Sequence, residues 1–106
     1  MLSPEAAKAL QLVKQQIRAG RARIERRVDR YLESEKLDAD DVWQALNAAV
    51  PGDITDYSSE HQHPERMTLE LGLKVEGDNR EFYCKVSVNV NVNHDPMVLS
   101  FKPSGT

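Results

Sequence analysis

At 106 residues the chain is long enough to bury one modest core and too short for two domains. Hydrophobic residues at 40% and charged residues at 29% exclude a disordered chain, and no apolar run approaches the roughly 20 residues that span a bilayer. The formal net charge is −3, whereas nucleic-acid binders are more often basic, so such a role depends on how the charge is distributed.

The first five residues, Met1-Leu2-Ser3-Pro4-Glu5, hold no basic segment followed by an apolar one, so a secretory signal is not expected. Ser3 can cap a helix, and Pro4 suits its first position because the missing N–H is not needed there. Leu10, Val13 and Ile17 recur at helical spacing, and Gly20 is either a C-cap that ends this helix, the favoured reading, or a tolerated glycine inside a longer one. Ile24, Val28 and Tyr31 or Leu32 form the stripe of a second helix, with Arg23, Arg26, Arg27 and Arg30 on its other side. Asp38 starts a third helix, with Asp41 in the place of a capping-box acid. Its inward stripe reads Val42, Leu46 and Val50, with Trp43 beside it, and Pro51-Gly52 stops it. Residues 51–65 are polar and read as a loop.

The period then changes from helical to two. Met67, Leu69, Leu71, Leu73 and Val75 alternate with polar residues and Gly72, as in a half-buried strand. After a turn at Gly77-Asp78-Asn79-Arg80 comes a second strand. It turns Phe82, Cys84, Val86, Val88, Val90 and Val92 one way and Tyr83, Lys85, Ser87, Asn89, Asn91 and Asn93 the other. Past Asp95-Pro96, Met97, Leu99 and Phe101 supply a third apolar row. The expected fold is therefore α+β: helices over about 3–50, a loop over 51–65, and over 66–102 an antiparallel sheet of three strands or more, one face covered by the helices.

A four-residue hairpin loop at 77–80 sets Glu76 opposite Glu81, Val75 opposite Phe82, Lys74 opposite Tyr83 and Gly72 opposite Lys85. The polar face then presents Lys74, Tyr83, Lys85 and Lys102, with Glu70 and Thr68 further along. Such a group suits RNA cleavage, which needs a base for the 2′-hydroxyl, an acid for the 5′-oxygen and cations for the phosphate. The bland alternative is a solvated strand face. The arginines at 18, 21, 23, 26, 27 and 30 can track a phosphate backbone or equally form a solvated helix face. His61 and His63 are candidate acid–base groups in the loop, while His94 reads as structural. Cys84, the single cysteine, falls on the apolar side, where a buried, inert thiol is expected; it excludes an internal disulfide and suits a reducing cytoplasm. One cysteine and three scattered histidines leave no zinc spacing, so neither metal nor cofactor is expected. The nearly uncharged Val-Asn run over 86–93 would invite self-association if left on a sheet edge.

Three stretches carry a resemblance. They are Leu12-Val13-Lys14 leading to Ala19-Gly20; Leu37-Asp38-Ala39-Asp40; and Phe82-Tyr83-Cys84-Lys85-Val86 followed by His94-Asp95 and Val98-Leu99-Ser100-Phe101-Lys102. Together they span about residues 12–102 and are similar to the MqsR-type mRNA-interferase toxins, whose fold is RelE-like. The resemblance implies a bacterial, cytoplasmic, metal-independent and sequence-selective endoribonuclease that cuts mRNA and is restrained by a cognate antitoxin. Tyr83 and Lys102 match its catalytic tyrosine and lysine, and Lys85 and Lys74 would be phosphate contacts. Two functional positions differ: a lysine falls at Asp56 and a glutamine near Thr68. Lys74, Arg66 or a loop histidine can stand in for the missing lysine. The alternatives are a degenerate toxin fold that binds RNA or protein without turnover, and an oligomerising structural domain using the Val-Asn strand.

Overall fold

The computed structural model describes residues 3–59, 66–89 and 95–104. The Ser3 hydroxyl accepts the Ala6 N–H at 3.0 Å and opens α1 (Pro4–Arg18), which buries Ala6, Ala9, Leu10 and Val13. Gly20 ends it at φ +73°, with the Gly20 N–H reaching the Ile17 carbonyl and the Arg21 N–H the Gln16 carbonyl, a Schellman pair.

The second helix starts later than its apolar stripe suggests. Arg23 and Ile24 form a two-residue strand, β1 (Arg23–Ile24), and only then does α2 (Arg26–Ser34) begin, burying Val28 and Leu32. Ile24 stands at helical spacing from Val28, but its neighbours' N–H groups are taken elsewhere: Arg23 donates to the Pro96 carbonyl at 2.9 Å and Glu25 to Val98 at 3.0 Å. The helix α3 (Ala39–Ala48) has the expected capping box, Asp38 and Asp41 each accepting the other's N–H at 3.0 Å. Val42, Ala45, Leu46 and Ala49 face inward. Val50 does not: Ala49 is already extended, which swings Val50 out to 55% exposure.

The segment expected as a loop contains a strand. After a 3-10 turn at Pro51–Asp53 the chain forms β2 (Ile54–Ser59), paired antiparallel with β3 (Met67–Lys74). A bulge at Thr55 masks the strand's alternation. It puts Ile54 and Tyr57, three residues apart, on the same inward side, so no period of two survives. The same device recurs in β5 (Met97–Pro103), where Lys85 pairs with Ser100 and Val86 with Val98, leaving Leu99 as the extra residue. Val98 and Phe101 are therefore buried, while Met97 and Leu99, expected in the core, are half-buried.

The sheet has five strands in the order β1-β5-β4-β3-β2, with β4 spanning Glu81–Val88. It is mixed rather than purely antiparallel, because β1 runs parallel to β5. The helices cover one face, where Leu69, Leu71, Leu73, Cys84, Val86 and Val88 pack, with Phe82 stacked on Phe101 at 4.9 Å between ring centroids. Val86 and Ser87 are not on an edge: β3 pairs with them on one side and β5 on the other, which blocks strand-to-strand self-association at these two residues. Residues 90–93 of the Val-Asn run, and His61, His63 and His94, lie outside the described residues. Among the described residues no helix is long and apolar enough to cross a membrane.

Candidate acid–base site on the open face of the sheet

The β3–β4 register decides what shares the uncovered face. Lys74 pairs with Glu81, Gly72 with Tyr83 and Glu70 with Lys85. The connection thus begins at Val75, and every pairing lies two residues from the one a four-residue loop implies. A shift of two keeps each side chain on its face but changes its neighbours. Tyr83 no longer faces Lys74; it comes beside Glu70 instead.

The phenol of Tyr83 donates to Glu70 Oε1 at 2.5 Å. Lys102 stands directly across from Tyr83 on β5, its Nζ 5.8 Å from the ring centroid, within reach of the ring's negative face. Lys85 lies between Glu70 and Ser100 on the neighbouring strands, and Asp56 flanks Glu70 from β2. Burial pushes the Tyr83 hydroxyl well above its ordinary value of 10.0, reinforced by the hydrogen bond and charge of Glu70 and more weakly by the charges of Cys84 and Asp56. The phenol therefore stays protonated at neutral pH and is a donor or relay, while the Glu70 carboxylate beside it can accept a proton.

Gly72, opposite Tyr83, leaves room beside the ring, and the Glu81 carboxylate occupies it. A Cβ on Gly72 would meet Glu81 Oε1 at 2.5 Å. Across the face Lys74, Lys85 and Lys102 are matched by Asp56, Glu70 and Glu81.

The fold thus groups Glu70, Lys85 and Lys102 around Tyr83. Lys74 is exposed one pair further along β3. Arg66 is half-buried just before the other end of that strand, and Thr68, 5% exposed between Ser58 and Ser87, offers a ligand little surface. Glu70 was missed as a partner of Tyr83 because the loop length that sets their register is not encoded in the alternation. Cys84 sits in the core, where burial pushes its thiol up to about 12, so it is no nucleophile. No protein-family model, curated protein or solved structure matches the chain.

Proposed function

We propose that the chain is a metal-independent endoribonuclease toxin of the MqsR type, RelE-like in fold, that cuts mRNA and is held in check by a cognate antitoxin. The observation that carries this reading is the contact between the Tyr83 hydroxyl and Glu70, with Lys102 across from the ring and Lys85 across from Glu70. In the reaction the 2′-oxygen attacks the adjacent phosphorus and the P–O5′ bond breaks, leaving a 2′,3′-cyclic phosphate and a 5′-hydroxyl. The 2′-proton passes to the Glu70 carboxylate, directly or through Tyr83. Lys102 and Lys85 neutralise the phosphoryl oxygens, and one of these ammonium groups gives the leaving oxygen its proton. General acid–base transfer of this kind contributes about 10²–10⁴-fold, and charge stabilisation of the phosphorane a similar factor.

The test is cleavage of a mixed-sequence RNA in EDTA by wild type, Tyr83→Phe and Lys102→Ala, with end-group analysis of the products. Loss of cleavage in both variants, with cyclic phosphate ends from wild type, supports the reading. Intact RNA after incubation with wild type overturns it.

One observation favours a second reading, a binding module without turnover. The three lysines of the face are balanced by three carboxylates, and the Tyr83 hydroxyl is already engaged by Glu70. That reading predicts stable RNA or protein binding and no cleavage.

A further inference from the structure

From the end of α1 into α2 the chain carries Arg18, Arg21, Arg23, Arg26, Arg27 and Arg30. All six are exposed. Glu25 and Asp29 stand against them, so residues 18–30 hold +4 in a chain of −3, and the other 93 residues hold −7. Two of the six have a local partner: Arg23 contacts Asp95 at 3.1 Å, and Arg27 lies 3.9 Å from Glu25 with 93% of its side chain in solvent. Among the described residues no carboxylate lies within 4 Å of Arg18, Arg21, Arg26 or Arg30. On α2 the buried side is set by Val28 and Leu32, which turns Arg26 and Arg30, one helical turn apart, outward together.

Like charges gathered without partners repel one another, and a polyanion relieves that repulsion. The guanidinium fork matches phosphate oxygens two at a time and gives up water more readily than an ammonium. The arginines also lead to the open face. Ile24 packs against the core, so its strand neighbour Arg23 points to the other side of the sheet. Arg23 aligns with Met97, five residues along β5 from Lys102, a span of about 17 Å.

We infer that residues 18–30 are a docking surface for the phosphate backbone of a single-stranded nucleic acid, which delivers an RNA strand to the face bearing Tyr83 and Lys102. Only the destination of the strand rests on the proposed ribonuclease; the backbone contact stands on the arginines.

The experiment is fluorescence anisotropy with a labelled 2′-O-methyl RNA oligomer, which binds but has no free 2′-hydroxyl to react, between 50 and 200 mM KCl. Four phosphates neutralised by Arg18, Arg21, Arg26 and Arg30 give a log–log salt slope of about −3, or about 50-fold weakening over that range. The triple variant Arg21→Gln, Arg26→Gln, Arg30→Gln, checked for folding by circular dichroism, is expected to bind at least about tenfold more weakly at 50 mM, with a slope near −1. Lys8→Gln with Lys36→Gln, exposed cations elsewhere, is expected to change affinity less than about twofold. A DNA oligomer that binds within a few-fold of the RNA supports contact through the backbone. Salt-independent or absent binding, a triple variant that binds like wild type, or an equal loss in the lysine control overturns the inference. Poly-glutamate retained as tightly as RNA also overturns it and points to an acidic protein partner. An unmodified RNA of the same sequence that is bound in this manner but never cut leaves the docking surface standing and removes the ribonuclease.

Discussion

Gly20 and Lys36 both close a helix in the left-handed region, at φ +73° and +58°, and only glycine does so without steric conflict. Nothing lies within 4 Å of a Cβ built on Gly20, so Gly20→Ala is expected to lose about 1–2 kcal/mol purely as backbone strain. The converse change, Lys36→Gly, is expected to gain roughly 0.5 kcal/mol, the strain relief exceeding the added chain entropy of glycine. Urea denaturation of both variants reads these differences, and a neutral Gly20→Ala would remove the strain argument. In the ribonuclease proposed above, Glu70 is the proton acceptor, and Glu70→Gln is expected to slow that cleavage by about 10²–10⁴-fold. It also removes the charge that adds to burial in raising Tyr83, so the Tyr83 phenol is expected to ionise at lower pH than in wild type. An ultraviolet titration of the tyrosines reads that shift, and Tyr83→Phe assigns it.

The two bulges show how an element departs from its alternation. In β5 a strict period of two buries Leu99 and exposes Val98; the observed register buries Val98 and leaves Leu99 half-buried. Val98→Ala is therefore expected to lose roughly 2 kcal/mol, and Leu99→Ala about 1 kcal/mol or less, in equilibrium unfolding. The opposite order would contradict the bulge. The capping box of α3 is a simpler element: Asp38→Ala frees the Asp41 N–H and is expected to lower stability by about 1 kcal/mol with an unchanged denaturant slope.

Over the whole molecule, Arg80 ties the β3–β4 connection to the end of α2. It contacts Asp78 and Glu35 at 2.8 Å each and lies 5.0 Å from the Phe82 ring centroid. The Arg80 side chain and its own backbone N–H hold the Asp78 carboxyl at about 2, below its ordinary 3.8. A carboxyl depressed by folding contributes stability above its unfolded value, and that contribution disappears as pH falls through the folded one. The stability carried by Asp78 is thus present above about pH 4 and lost toward pH 2. Thermal melts at pH 5, 3 and 2 are expected to fall less steeply for Asp78→Asn than for wild type across this window. Equal slopes would show that the ion pair does not stabilise the fold.

Legibility in the sequence followed the range of the interaction. Where a neighbour three or four residues away settles the structure, the residues alone sufficed: Ser3 and Pro4 opening α1, Gly20 ending it, the box of Asp38 and Asp41, and the alternation that puts Tyr83 and Lys85 opposite Phe82 and Cys84. Where a partner distant in sequence decides, they did not. Arg23 and Ile24 fit a helical stripe until Pro96 and Val98 take the neighbouring N–H groups, and β2 has too few apolar residues to declare itself without β3 beside it. The candidate site divides the same way. Period two put Tyr83 on the open face; the length of the β3–β4 connection chose Glu70 as its partner, and strand pairing set Lys102 across from it. A face is a property of one strand's backbone geometry, whereas a neighbour across the sheet depends on register, and only tertiary packing selects between registers that differ by two.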